Sequence, residues 1–278
     1  MINFRQTVTL ADGYAAAYLE ARPERYDTTL LMVHGIRGSA DGLADLLGPL
    51  GKKYRVIVPD LPAHAGLDSL PESTPEAYAR WLVEFTEAIE AKGRVVLLGH
   101  SFGVLIVWEA LPDRRFHSLI LLNPVCPQGF WDRLVEFYYF IADILPAAWQ
   151  RGWLKLKPVE SLTQYLLIHN RTKANVAKVA ALHRQESEVL QPLPVIRLMR
   201  SLWPWLKQVD LSEAKKPVAV IAGENDRLSS LSQVKAFYSA AAGIDPQVIP
   251  EAGHISHIDR LDEVVAAIER AIEMPSKN

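Results

Sequence analysis

The sequence has a single cysteine, Cys126, so the chain can form neither an intramolecular disulfide nor a cysteine-rich metal site. No stretch approaches the roughly 18 uninterrupted apolar residues of a membrane-spanning helix. The opening residues Met1-Ile2-Asn3-Phe4-Arg5-Gln6-Thr7 lack the basic region and apolar run of a secretory signal. Excess charge of either sign is also missing. Lys and Arg number 30 against 32 Asp and Glu, for a net charge of −2, which gives no electrostatic reason to expect nucleic acid as a partner. The histidines, at 34, 64, 100, 117, 169, 183, 254 and 257, form no convincing two-histidine-plus-acid ligand set, and no dinucleotide fingerprint follows the first strand. The expectation is therefore a cytoplasmic protein without metal or cofactor. Cys126 is expected to be an inert, packed thiol. Oligomeric state is left open.

What is present is enough apolar material for one large α/β domain: 49% hydrophobic residues in a chain of 278. Residues 4–10 and 14–21 flank Asp12-Gly13, a hairpin turn signal. Short apolar runs at 29–33, 54–58, 94–98, 118–122, 217–222 and 246–249 read as strands. Helical periodicity marks 76–91, with Tyr78, Trp81, Leu82, Phe85 and Ile89 on one side and Gly93 as a stop signal. Helices are also expected at 230–242 and at 261–273, the latter with Leu261, Val264, Val265, Ile268 and Ile272 as its apolar side. Strands alternating with amphipathic helices predict an α/β fold: a mainly parallel sheet with helices on both faces. From about 124 to 215 strand-like segments are scarce and aromatic helical segments dominate. The expected organisation is a core of 1–123 and 216–278, interrupted by a helical cap at 124–215, with substrate between cap and core.

Gly99-His100-Ser101-Phe102-Gly103 matches Gly-x-Ser-x-Gly, directly after strand 94–98 and ahead of the helix-competent Val104–Leu111. A sharp strand-to-helix turn needs small residues at 99 and 103, and it lifts the Ser101 hydroxyl above the sheet. A serine hydroxyl needs a base to act as a nucleophile. His254, in Glu251-Ala252-Gly253-His254, is the leading candidate, with His257 as the competitor. The base needs an acceptor that fixes its tautomer. Asp226 fills that role best, with Glu224 and Asp259 as alternatives. The backbone N–H groups of Phe102 and Ile36 are the candidate oxyanion donors, Ile36 lying in His34-Gly35-Ile36-Arg37-Gly38-Ser39. His34 and His64 read as structural loop anchors. Arg37 reads as a solvated loop arginine, with recognition of a carboxylate or phosphate group as the alternative.

These residues together resemble the α/β-hydrolase superfamily, in its serine-nucleophile branch with a helical cap. The likeness covers nearly the whole chain and rests on His34-Gly35, Asp60-Leu61-Pro62-Ala63-His64-Ala65-Gly66, Gly99–Gly103, the Asp226 loop and Gly253-His254. It implies a triad of Ser101, Asp226 and His254, with oxyanion N–H groups after the nucleophile and in the His-Gly loop. Ser101 argues against the dehalogenase and epoxide-hydrolase branches, which usually carry Asp there. Two departures stand out: Ala63 and Ala65 occupy positions where glycine is usual, and Val104 follows the turn where a second glycine is common.

The expected activity is hydrolysis of a carboxylic ester or thioester through an acyl-enzyme. Carbon–carbon hydrolysis of a diketone-type substrate, acyl transfer to an alcohol, and non-catalytic ligand binding are the alternatives. The aromatics at 130, 131, 137, 138, 139, 140, 149, 153, 203 and 205 read first as core. They could instead line an apolar tunnel for an alkyl or aryl acyl group. Segment 130–145 could touch a membrane surface, an idea weakened by Asp132, Glu136 and Asp143.

Overall fold

The computed structural model describes residues 4–128, 130–239 and 243–274. Its strands are β1 (Phe4–Thr9), β2 (Ala15–Ala21), β3 (Thr28–Val33), β4 (Arg55–Pro59), β5 (Arg94–His100), β6 (Phe116–Leu122), β7 (Val218–Gly223) and β8 (Gln247–Ile249). They form one sheet in the order β1-β2-β4-β3-β5-β6-β7-β8. The β1–β2 and β2–β4 pairings are antiparallel, and every pairing from β4 to β8 is parallel. The expected hairpin is therefore present at one edge, and the short apolar runs are the buried parallel strands.

Alternation along these strands divides the core between the two faces. Leu31, Val33, Val95, Leu97, Leu119, Leu121, Val218 and Val220 face one way and pack with α2 (Pro75–Ala88) and α3 (Gly103–Ala110). Leu30, Met32, Val96, Leu98, Ile120, Leu122, Ala219 and Ile221 face the other. There they meet α1 (Ala44–Leu50) and the final helix, Leu261–Ile272. Burying each such side chain contributes roughly 1.5–3 kcal/mol, so the two covered faces dominate the folding energy. Helix α2 starts where Thr74 accepts the Ala77 N–H at 3.2 Å and Pro75 opens the first turn. Helix α1 was not expected, although Leu46, Leu47 and Leu50 lie on its buried side.

Helices α4 (Phe130–Ile144), α5 (Ala147–Leu154), α6 (Lys157–Leu167), α7 (Lys173–Val189), α8 (Pro192–Arg200) and α9 (Leu202–Gln208) lie between β6 and β7. Arg151 on α5 donates to the carbonyls of Ser187, Glu188 and Leu190 at the end of α7. These are carbonyls that a helix terminus leaves unpaired. The helix expected at 230–242 is shorter than the pattern suggests. Leu231–Val234 is α-helical, Lys235–Ser239 forms a π-turn, and residues 240–242 lie outside the described residues. Among the described residues, no helix is long and apolar enough to cross a membrane.

Candidate active site

The parallel registers set the carboxyl ends of β3, β5, β6 and β7 side by side. Val33 pairs with Gly99, and Leu122 pairs with both His100 and Ile221. The loops leaving these ends carry Gly35, Ser101, Asn123 and Asp226, and the loop after β8 carries His254.

The turn after β5 needs its glycines. A Cβ on Gly103 would lie 2.6 Å from the Val33 carbonyl oxygen, and one on Gly99 would lie 2.8 Å from Gly103 backbone. Ser101 itself sits in the left-handed region at φ 54°, and its N–H bonds the Leu122 carbonyl at 3.0 Å. A left-handed L-residue costs roughly 1–2 kcal/mol, here in return for lifting the hydroxyl off the sheet.

The Ser101 Oγ lies 2.7 Å from His254 Nε2, and His254 Nδ1 lies 2.8 Å from Asp226 Oδ2. With the carboxylate as acceptor, the proton of the neutral ring sits on Nδ1, and Nε2 accepts the serine O–H. Asp226 is oriented in turn: its Oδ1 accepts the N–H groups of Leu228 at 2.8 Å and Ser229 at 2.9 Å. The structure thus brings together the three side chains that the sequence selected.

It also separates the competitors. His257 Nε2 donates to the Gly42 carbonyl at 2.9 Å, and its ring meets the His100 ring edge-on at 5.4 Å. Glu224 accepts the Glu251 N–H at 3.2 Å. Among the described residues, Asp259 hydrogen-bonds backbone N–H groups only: Gly253 at 2.8 Å, His169 at 3.0 Å and Asn170 at 2.9 Å.

The two candidate oxyanion donors belong to the loop after β3 and to the residue that follows Ser101. Gly35 brings the Ile36 loop so close that a Cβ there would lie 3.2 Å from Ser101 Cβ. Among the described residues, neither the Ile36 nor the Phe102 N–H has a hydrogen-bond acceptor. Two unpaired N–H groups beside a serine hydroxyl suit negative charge on a substrate oxygen.

The loop histidines hold this geometry. The Leu61 N–H donates to His34 Nε2 at 3.0 Å, so His34 Nδ1–H donates to the Gly35 carbonyl at 2.8 Å. His64 repeats the pattern, accepting the Arg37 N–H at Nε2 and donating from Nδ1 to the Pro62 carbonyl at 2.9 Å. Burial pushes His34 down to about 3 and His64 to about 4, so both are neutral anchors. Cys126 is buried, which pushes its thiol up to about 12 and leaves it unreactive.

Two positioning residues escaped the sequence reading. His100 donates from Nε2 to the His254 carbonyl at 3.1 Å, and burial holds its ring neutral, well below the ordinary histidine range. Asn123 donates to the Gly253 carbonyl at 3.1 Å, lies 3.4 Å from Asp226 Oδ2, and accepts the Ser256 hydroxyl at 2.5 Å. A polar residue ending an otherwise apolar strand was the available signal for Asn123.

Arg37 is half-buried rather than solvated: it donates to the Leu154 carbonyl at 3.1 Å and to Ser187 Oγ at 3.3 Å. A cavity of about 110 Å³ adjoins Ser101 and His254. Loop residues Ile36, Arg37 and Ser39 line it, with Leu182, His183 and Glu186 from α7. No Phe, Tyr or Trp side chain among the described residues lines it. Tyr139, Trp203 and Trp205 are core, Tyr138 and Trp153 stack at 5.4 Å, and Phe137, Phe140 and Trp149 are exposed. The side chains of Phe130 and Trp131 lie outside the described residues.

Comparisons with known proteins agree with this architecture. A pimeloyl-[acyl-carrier protein] methyl ester esterase of Stenotrophomonas maltophilia (strain R551-3) is 26% identical over 253 residues, covering 87% of this chain and 92% of that protein. Protein ABHD8 of Mus musculus is 28% identical over 216 residues, and the matched part is 72% of this chain but 45% of ABHD8, less than half that relative's length. The solved esterase EaEST from Exiguobacterium antarcticum superposes with a TM-score of 0.78 at 15% identity, over 98% of this chain and 100% of that one. Esterase RhEst1 from Rhodococcus sp. ECU1013 superposes with a TM-score of 0.74 at 16% identity, over 98% and 99%. At such identities the superpositions speak for the fold alone. Residues 30–267 match the model of the Alpha/beta hydrolase family, and the chain belongs to that family.

Proposed function

We propose that this hydrolase cleaves a carboxylic ester or thioester through an acyl-enzyme on Ser101. The observation that carries the reading is the continuous line from Ser101 Oγ through His254 to Asp226, with contacts of 2.7 and 2.8 Å. In this mechanism His254 Nε2 takes the hydroxyl proton as Oγ attacks the carbonyl carbon. Asp226 stabilises the imidazolium, and the N–H groups of Ile36 and Phe102 hold the oxyanion. His254 then returns the proton to the leaving alcohol or thiol. A water molecule repeats the sequence and frees the acid.

Helices α4–α9 act as a cap in this proposal, since α7 side chains share the cavity with Ser101. An engineered apolar cavity of about 150 Å³ takes benzene, so one of about 110 Å³ suits a short acyl chain better than an aryl group. The methyl ester esterase among the relatives supports an ester over a diketone substrate.

The test is turnover of p-nitrophenyl acetate and p-nitrophenyl butyrate by wild type and Ser101→Ala. The reading expects hydrolysis that falls about 10⁴-fold or more in the variant. Hydrolysis that persists in folded Ser101→Ala contradicts it.

A further inference from the structure

Helix α7 presents Val179, Leu182, His183 and Glu186 to the cavity beside Ser101, at the i, i+3, i+4, i+7 spacing of one helix face. The stripe changes character along the helix: its first two members are aliphatic and its last two polar. The polar end meets the loop after β3. Ser39 donates its hydroxyl proton to Glu186 Oε1 at 2.8 Å, and Arg37 lines the same cavity. Glu186 is 6% exposed, and burial pushes its carboxyl up to about 7. His183 has no hydrogen-bond partner among the described residues. Burial and the nearby Arg37 charge push its ring down to about 4, so it is a neutral imidazole with one donor and one acceptor. The acyl-enzyme chemistry uses neither Glu186 nor His183.

We propose that this polar end of the cavity is a subsite for a hydroxyl group, and that the substrate is an ester whose short acyl chain carries a hydroxyl a few bonds from the carbonyl. The proposal rests on the acyl-enzyme reading and names its substrate class. A hydroxyl both donates and accepts, and a carboxyl and a neutral imidazole one helical turn apart answer both capacities. Charged alternatives fit worse. An ammonium would face the Arg37 charge, and a carboxylate would face Glu186 once that carboxyl ionises above about pH 7, whereas a neutral hydroxyl meets no like charge. A plain alkyl chain would leave the His183 imidazole desolvated and unpaired and would give Glu186 no partner beyond Ser39.

The test is the ratio of kcat/KM for two esters of similar shape, p-nitrophenyl 3-hydroxypropanoate and p-nitrophenyl butyrate, in which a hydroxyl replaces the terminal methyl. Wild type is expected to favour the hydroxy ester by about tenfold or more. In His183→Leu and Glu186→Leu the ratio should fall to about one or below. A ratio taken within one protein is insensitive to the fraction of enzyme that is folded. If Glu186→Leu does not fold, His183→Leu, at a half-buried position without a hydrogen bond, carries the comparison. Turnover of both esters with a wild-type ratio of one or less overturns the subsite and leaves the acyl-enzyme reading standing. So does a ratio that both variants leave unchanged. Failure to turn over either ester, together with no fluorophosphonate adduct on Ser101, overturns the acyl-enzyme reading and the subsite with it.

Discussion

The Asp259 carboxylate accepts the N–H of Gly253 at 2.8 Å, one residue before His254. The same side chain accepts the N–H groups of His169 and Asn170, between α6 and α7. One carboxylate therefore ties the inserted helices to the loop that aims the imidazole, and the Ile255 N–H adds a bond to the Leu167 carbonyl at 3.2 Å.

Replacing that carboxylate leaves three backbone N–H donors without their acceptor at once. A buried donor left without a partner costs about 1–3 kcal/mol, so Asp259→Ala should lose about 3 kcal/mol or more of stability in urea titration. The activity that remains should show a lower kcat, because the His254 loop is released. Unchanged stability and kcat would contradict the coupling.

Asp226→Asn should keep the fold and lose the chemistry. Leu228 and Ser229 both donate to Oδ1, so the amide oxygen takes that place and its NH₂ turns toward His254 Nδ1. Two donors cannot face each other, and the ring is driven to the tautomer that carries its proton on Nε2, where it no longer accepts the Ser101 proton. The expected fall in kcat is about 10⁴-fold, with little change in the unfolding midpoint. Steady-state kinetics and thermal melting measure the two effects.

Glu186 and the buried loop histidines give stability opposite slopes with pH. Burial raises Glu186 to about 7, so folded and unfolded chains are both protonated below the ordinary carboxyl range. Between that range and about pH 7 the unfolded chain ionises first, and stability falls as pH rises, levelling off above about 7. Burial lowers His34 to about 3 and His64 to about 4, so the unfolded chain gains protons first as pH falls below the ordinary histidine value, and stability is lost toward acid. Glu186→Gln keeps an oxygen for Ser39 and removes the first slope. Denaturation curves of this variant should show greater stability than wild type at pH 8 and no difference at pH 4. Equal stability at both values would contradict the assignment.

Ala63 and Ala65, which stand where relatives of this fold usually carry glycine, have φ of 66° and 51°. The chain thus keeps the left-handed turn without the residue that adopts it freely. Ala65 is half-buried, so Ala65→Gly loses little packing. It should raise stability by about 1 kcal/mol in chemical denaturation, whereas a loss would mean that the Ala65 methyl matters more than its backbone strain.

The strands that set up the site were legible because a parallel strand buried on both faces must be a short apolar run, as in Leu30–Val33 and Val95–Leu98. Ser101, Asp226 and His254 were legible because a tight strand-to-helix turn constrains residues 99–103, and the acid and the base each follow a recognisable strand. The positioning roles of Asn123 and Asp259 were not, because Gly253 is 130 residues from Asn123, and His169 and Asn170, which Asp259 ties to the His254 loop, lie 90 and 89 residues from it. The same holds for Arg37, whose acceptors Leu154 and Ser187 sit on the inserted helices. The aromatic stripes read first as core, with an apolar tunnel as the alternative, and the tunnel is not where the cavity lies. Trp203 and Trp205 fill the core, while the cavity faces the less conspicuous Val179–Leu182–His183–Glu186 stripe of α7.

The most direct measurement is peptide mapping by mass spectrometry of enzyme mixed briefly with p-nitrophenyl butyrate and quenched in acid. The account predicts a butyryl group on the peptide that contains Ser101, absent from Ser101→Ala and accumulating when His254 is replaced only if the ester is left in contact far longer. Hydrolysis by wild type with no acyl group on Ser101, or with the acyl group on another residue, would contradict it.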